Sequence, residues 1–535
     1  DIFIKEQINS YKNLIQTEKL SFNNFIKIQK FHDNDSICNG PCERYIYNNI
    51  FNFKKEIEWN RLEEIVKELY GDSITNDPYQ PQQIHLSITN NLNEMKVIWA
   101  TMDNLIDPFV EYTTNMNEWI ESSTSTVNAV NYTYEVPQNW YPVFAGVLYE
   151  ANMINLEPGK IKYRYRVGGY DPVNQIIKKS NEFSFVTAPI PSPEEKTTIA
   201  MLGDQGTFMI LGFATSNKLI ELQDELGVDV VMYAGDLCYA GLSGDLTPFN
   251  NVTEDDEFGH IWDLWGIQNE PIAATRPFMT TPGNHESFYN WTAFTNRYKM
   301  PTNGYQNFWF SYDYGNVHMI SLSTEHCFES DCEQMIWLKS DLEQAILNRK
   351  VVPWIVVSMH RPVYCSDESQ YDSHSPGGIY QTLLEPVFLQ YDVDLVLQGH
   401  MHAYERIHPL QNGIVTVTPS IYRPSVGKRV DLYHSDGKGP VYVVQGNTGA
   451  MQVEKWIHPQ PEWSAIRFAN GYIPPRDIQN FEGTEMLKGF ILNSNYSDTF
   501  GFGVATFANS THLHYEVIPV TGTIGTDEFW IVKRE

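Results

Sequence analysis

The chain has 535 residues, 42% of them hydrophobic and 13% aromatic, with 66 acidic against 37 basic side chains and a formal net charge of −29. That length exceeds one ordinary core and predicts about two or three domains, while the charge excludes a nucleic-acid or anionic-membrane surface. No stretch approaches the length of a membrane span, so a soluble body is expected.

The chain begins at Asp1 with neither Met nor an apolar leader, which reads as a processed product. Residues 1–80 are Asn- and Lys-rich, with helix-like patterning from Trp59 to Leu69 and no catalytic signal. Such a segment can serve as a dimer contact, a cap or a targeting element. A homodimer is therefore left open. From Ile84 the pattern alternates through Leu86 and Ile88, then Val97 and Trp99, and later Tyr163, Tyr165 and Val167 after the turn Glu157-Pro158-Gly159. Period-two segments separated by turn residues predict an antiparallel β-sandwich over residues 81–188, ending at Phe183-Ser184-Phe185-Val186. Pro189-Ile190-Pro191-Ser192-Pro193 is a stiff linker.

Past the linker, over residues 194–535, strands alternate with helices. Ile199-Ala200-Met201-Leu202 reads as a buried strand. Thr215 or Ser216 is expected to cap a helix carrying Leu219, Leu222 and Leu226, which Gly227 stops before the next strand. Strand, helix and strand at this spacing imply a right-handed crossover and parallel pairing, hence an α/β domain. Val504-Ala505-Thr506-Phe507 and His512 to Val517 return to alternation as closing strands.

Cys38 and Cys42 flank a turn-prone trio, and Cys327 and Cys332 flank a polar loop, so each pair is a candidate disulfide. Cys238 and Cys365 lie near the chemistry described next, and at least one is expected as a buried thiol. Two local bridges would imply an oxidising compartment. Asn-x-Ser/Thr sequons at Asn34, Asn131, Asn251, Asn290, Asn495 and Asn509 point the same way. A secretory or lysosome-like destination is favoured.

The chemistry sits in five short blocks that close or closely follow apolar strands. They are Gly203-Asp204-Gln205-Gly206, Gly235-Asp236-Leu237-Cys238-Tyr239, Gly283-Asn284-His285-Glu286, His360 after Trp354 to Met359, and Gly399-His400-Met401-His402. Singly, each has a plainer reading. An Asp before Gly is usually a turn residue or a cap, Asn284 can make a tight turn, and His360 or Tyr239 can be core residues. His400-Met401-His402 is stronger, because residues two apart on extended chain face one side. All blocks together fall where open α/β sheets bind ligands, at strand carboxyl ends. Two Asp, one Asn, three His and a Tyr, with no better nucleophile nearby, point to metal. Two ions about 3.5–4 Å apart polarise a phosphoryl oxygen and acidify a bound water, and they need a bridging carboxylate.

These blocks resemble the signature of the metallophosphoesterase superfamily, and Tyr239 within Gly-Asp-x-x-Tyr resembles the purple acid phosphatases. His85-Leu86-Ser87-Ile88 through Trp99 is similar to the fibronectin-III-like domain of the large plant and fungal members. Ala403-Tyr404-Glu405-Arg406 and Thr511-His512-Leu513-His514 are also similar. The likeness covers about residues 81–517 and implies a metallophosphoesterase fold of two mixed sheets flanked by helices, preceded by the all-β sandwich. It further implies Fe(III) on Asp204, Tyr239 and His402, with Asp236 bridging. A divalent ion (Fe, Zn or Mn) would bind Asn284, His360 and His400. His285 would assist the leaving group, and the implied reaction is phosphomonoester hydrolysis by a metal-bound hydroxide. Substrates would be phosphorylated small molecules or phosphoproteins. A net positive charge left on the centre would attract phosphate despite the acidic body, and hydroxide on a trivalent ion would persist into the acid range. The chain departs from the plant type between Arg361 and Gly378, where His374 is the one candidate for the extra loop histidines, and at Cys238, where a small residue is usual. A phosphodiesterase or nucleotidase, and a non-catalytic secreted binding glycoprotein, are the alternatives.

Overall fold

The computed structural model describes residues 77–135, 146–207, 210–240, 259–422, 430–435, 437–450, 455–469, 499–520 and 526–533. Cys38, Cys42, the helix-like stretch Trp59 to Leu69, and the sequons at Asn34, Asn251 and Asn495 lie outside these residues.

The first described unit is a two-sheet sandwich. One sheet pairs Gln82–Ile88, Met95–Thr101, Val147–Met153 and Val130–Tyr132 in that order, all antiparallel. The other centres on Lys162–Asp171, flanked by Ile106–Thr113 and Ile176–Lys179, with Phe183–Val186 also pairing to it. The alternation visible in the sequence faces inward: Leu86, Val97, Trp99, Tyr149, Tyr165 and Phe185 are buried in one cluster, and Trp99 stacks on Tyr149 at 5.2 Å. Aromatic burial of this kind stabilises a small sandwich by both area and ring geometry.

The rest is an α/β layer structure built on two mixed sheets. In the first, β1 (Thr197–Leu202), β2 (Val230–Tyr233) and β3 (Phe278–Thr280) run parallel. That sheet continues antiparallel through Gly501–Phe507, His512–Pro519 and Glu528–Lys533. In the second, β4 (Val317–Leu322), β5 (Trp354–Met359), β6 (Leu395–Gln398) and Val441–Gln445 are parallel neighbours. Each residue of β1 to β6 is buried, as expected of short apolar runs covered on both faces. The two sheets share one core, from Ile199 and Val231 to Val356, Val396 and Phe502.

The expected helix after β1 forms but starts earlier, spanning Ile210–Leu222. Thr215 and Ser216 are therefore interior residues, both buried. Ser216 Oγ accepts from Gln205 Nε2 at 2.8 Å and donates to Asn269 Oδ1 at 2.9 Å. The Ser216 hydroxyl serves instead to tie the helix to its neighbour, bonding Asn269 and Gln268. The helix also ends earlier than expected, at Leu222, leaving Leu226 in the turn that follows, and Gly227, at φ +66°, closes that turn rather than the helix.

The sandwich rests on the α/β part through the helix Gly259–Ala273. Glu270 accepts from the Ile84 N–H at 3.1 Å, Tyr165 donates to the Ala274 carbonyl at 2.8 Å, and Arg297 bonds Gln83 and Asp263 at 3.0 and 2.9 Å. Cys327 and Cys332 form a disulfide, and Cys238 and Cys365 are buried thiols. No helix among the described residues is long and apolar enough to cross a membrane.

Candidate metal centre

The carboxyl ends of β1, β2, β5 and β6 open onto one point, and each delivers a polar side chain there. Asp204 follows β1, Asp236 and Tyr239 follow β2, His360 follows β5, and His400 follows β6. The turns that turn these side chains inward are tight. Asp204, Asp236, Tyr239 and His400 all have left-handed backbones, with φ between +49° and +70°. Non-glycine residues pay about 1 kcal/mol or more for that region, and such strain concentrates at functional sites. The glycines of the motifs serve the same crowding. A Cβ on Gly283 would lie 2.3 Å from Asp236 Oδ1, and one on Gly235 would lie 2.7 Å from His360 Nδ1.

Two groups of donors result. His360 Nε2 lies 3.0 Å from Asn284 Oδ1, 3.3 Å from Asp236 Oδ1 and 3.3 Å from His400 Nδ1. The donor atoms of Asp236, His360 and His400 all fall within 4.8 Å of one another. Alongside, Tyr239 Oη lies 3.1 Å from Asp204 Oδ1 and 3.0 Å from His402 Nε2. His360 Nδ1 donates to the Ala234 carbonyl at 2.8 Å, which orients the ring and turns Nε2 toward the other donors. Oxygen and imidazole donors without sulfur, in two adjoining groups, suit a pair of first-row ions. The donor set fits.

The electrostatics belong to donors held together. Burial works to raise Asp236, but the neighbouring His360 and His285 outweigh it and hold the carboxyl well below its usual range. His360, against its own burial, is pushed up to about 10 by Asp236 and Asp204. Burial raises Asp204, partly offset by His402 and His360. Burial and then Arg361 keep His400 well below an ordinary histidine. A metal entering here must displace the proton that His360 holds, so binding releases protons.

His285 sits at the rim. Its Nε2 is 3.9 Å from Asp236 Oδ2, and its ring packs on Tyr239 and Phe288. His374 is buried under Tyr380, with ring centroids 4.7 Å apart, and lies 6.1 Å from the His400 ring. Its Nδ1 donates to the Pro362 carbonyl at 2.5 Å, and burial lowers it to about 4. It is a neutral ring with a fixed tautomer.

His400-Met401-His402 differs in backbone from the extended pair expected. Met401 N–H bonds Gly399 O at 2.8 Å and Ala403 N–H bonds Met401 O at 2.6 Å, so the segment winds through tight three-residue turns. The two rings then diverge, His400 toward His360 and His402 toward Tyr239, each serving one donor group.

Three residues support these donors; the sequence marks Glu286, after His285, as a structural member of its block, but not Arg361 or Glu325 as partners. Glu286 accepts the backbone N–H groups of Asp236, Leu237 and Gly283 at 2.9, 2.8 and 2.7 Å. It thereby braces the strained turn that carries Asp236. Arg361 and Glu325 form a two-pronged ion pair beside His400. The available signal was β4, whose carboxyl end at Leu322 reaches the same edge three residues before Glu325.

Parallel strands delivering paired oxygen and imidazole donors at their carboxyl ends define a metal-dependent phosphoesterase. Comparison with known proteins agrees. The family described as calcineurin-like phosphoesterase matches residues 197–404, and that described as purple acid phosphatase, N-terminal domain, matches residues 81–187. A phosphoenolpyruvate phosphatase of Allium cepa is 30% identical over 74% of this chain and 76% of its own length. A purple acid phosphatase of Glycine max is 27% identical over 81% of each chain. Acid phosphatase type 7 of Homo sapiens is 28% identical over 72% of this chain and 82% of its own. In fold, a purple acid phosphatase from yellow lupin seeds superposes with a TM-score of 0.67 at 21% identity, covering 86% of this chain and 75% of that one. The chain belongs to the purple acid phosphatase family. It is a metallophosphoesterase acid phosphatase, an enzyme that hydrolyses phosphomonoesters.

Proposed function

We propose that Asp204, Tyr239 and His402 hold a ferric ion, that Asn284, His360 and His400 hold a divalent iron, zinc or manganese ion, and that Asp236 bridges them. The observation that carries this reading is the pair of adjoining donor groups, one containing the Tyr239 phenol and the other the His360 and His400 imidazoles. When bound, the two ions supply a Lewis acid for the phosphoryl oxygen and a water acidic enough to attack phosphorus. The protein's own part is positioning. Glu286 fixes the Asp236 turn, and the Ala234 carbonyl fixes His360. His285 faces the open side beside Asp236, where it donates to a phosphoryl oxygen and helps protonate the departing alkoxide. His374, kept neutral by burial with its one N–H on Nδ1, offers Nε2 only as a hydrogen-bond acceptor and carries no proton to give in the working range.

In this reading residues 81–188 form the sandwich, 189–193 the linker and 194–535 the catalytic domain. The substrate is a phosphorylated small molecule or phosphoprotein. The Cys327–Cys332 bridge and the exposed sequon residues Asn131 and Asn290 support a secretory route. Turnover of mono- and diester substrates, measured with metal content on wild type and His360→Ala, tests the assignment. Monoester preference, with loss of about one metal and of activity in the variant, is expected. Diester preference, or full metal content in the variant, would sink it.

A further inference from the structure

Arg361 directly follows His360, and nothing in the ligand assignment uses it. Its Nε and Nη2 edge is occupied by Glu325 at 2.7 and 3.0 Å, and its backbone N–H donates to Thr324 Oγ1 at 3.0 Å. Glu325 and Thr324 follow β4, so the pair links the end of that strand to the end of β5. The side chain is 24% exposed, and its remaining nitrogen, Nη1, points at His400 Nε2 from 3.2 Å. Among the described residues that is the contact recorded for Nη1.

His400 presents Nδ1 to the donor group, 3.3 Å from His360 Nε2. An imidazole that gives its Nδ1 lone pair to a metal keeps its proton on Nε2. Guanidinium nitrogens only donate. Nη1 is then left beside the centre with no acceptor, held there by the fork on Glu325, and a half-buried donor in that state is costly unless an anion supplies the acceptor. Glu325 holds the guanidinium and Asp236 adds to the negative field around it, while His374 is neutral by burial and Tyr380 is pushed up by burial to about 12.

We propose that Arg361 is a phosphate-binding residue, its Nη1 donating to an oxygen of the substrate's phosphoryl group while Glu325 aims the guanidinium. This role rests on the phosphatase reading above. It places a permanent cation where the sequence carries one loop histidine, with the guanidinium fork spent on Glu325 and its charged Nη1 donor left for the phosphate.

Calorimetric titration with inorganic phosphate, on metal-loaded wild type, Arg361→Gln, Arg361→Lys and Glu325→Gln, tests it. Metal content is measured on each sample, and KM for para-nitrophenyl phosphate is followed in parallel. The phosphate Kd is expected to rise about 10- to 100-fold in Arg361→Gln and less in Arg361→Lys, with both metals retained and KM rising in step. Arg361→Lys keeps the charge and preserves the test should the Gln variant misfold. Glu325→Gln, which leaves the guanidinium but loosens its aim, is expected between wild type and Arg361→Gln. Wild-type phosphate affinity in the Arg361 variants would overturn this role alone. So would an affinity loss that follows metal loss, since Arg361 would then serve His400. A wild-type protein that binds metals but no phosphate would overturn the phosphatase reading together with it.

Discussion

Two buried histidines, His318 and His360, each stand among carboxylates, and they have opposite fates. His318 donates from Nδ1 to Asp313 at 2.6 Å and from Nε2 to Asp341 at 2.9 Å. Each ring nitrogen has one acceptor, so the cluster is complete as a protonated imidazole between two anions. His360 has one nitrogen committed to a backbone carbonyl, and the other faces Asn284, Asp236 and His400 together. One N–H cannot satisfy three acceptors. A cluster whose lone pairs converge in this way is satisfied by a cation, whereas one whose donors and acceptors alternate is satisfied by itself. Arg406 repeats the first case on a larger scale. It is fully buried and bonds Asp527 at 2.6 Å, Asp431 at 2.9 Å and Tyr433 at 2.6 Å, joining strands of the two sheets.

Substitutions at the two kinds of cluster should therefore separate activity from stability. Asp236→Asn is expected to lower kcat/KM by roughly 10²–10³-fold or more, with metal content reduced and the unfolding midpoint of the metal-free protein little changed. Steady-state kinetics and denaturant melts on one preparation would check it. Arg406→Met should do the reverse. Leaving Asp527 and Asp431 buried without their partner costs about 3–5 kcal/mol, yet the folded fraction should still bind its metals. Unfolding curves paired with metal analysis distinguish the two.

Removing the metals with a chelator should abolish activity while leaving the circular dichroism of the fold in place. The melting temperature should fall, because ions bound only to the folded state stabilise it by mass action. Re-addition should restore both.

The smallest effect concerns pH. Although burial works to lower His318, Asp313 and Asp341 outweigh it and push it up to about 9. A folded value raised above the unfolded value of about 6.5 contributes stability that is fully present below pH ~6.5 and lost as pH rises through about 9. The contribution is on the order of 3 kcal/mol. His318→Gln should flatten this decline between pH 7 and 10 in urea melts, with activity at acid pH retained.

How much of this was legible in the sequence follows from range. The five blocks stood out because each is short, polar and set at the end of an apolar run, and because their chemistry converges on one purpose. The sandwich was legible from alternation, and the disulfide Cys327–Cys332 from local spacing. Contacts across long separations were not. Glu325 and Arg361 meet across 36 positions, and nothing in either neighbourhood marks the other. The start of the helix Ile210–Leu222 was misjudged because Thr215 and Ser216 are cap-prone residue types, yet both are buried inside the helix and the Ser216 hydroxyl bonds another helix. The turns at His400 and Ala403 were misjudged because spacing reports which side chains lie together, not the backbone path that brings them there.

The most direct test of the central claim is the visible absorption spectrum of the purified protein, recorded with metal analysis on the same sample before and after Tyr239→Phe. Two bound metals, one of them iron, with a purple band that vanishes in the variant, is the predicted result. A colourless wild-type protein holding two divalent ions and no iron, with oxidation state and metal loss controlled, would contradict the ferric assignment of Asp204, Tyr239 and His402.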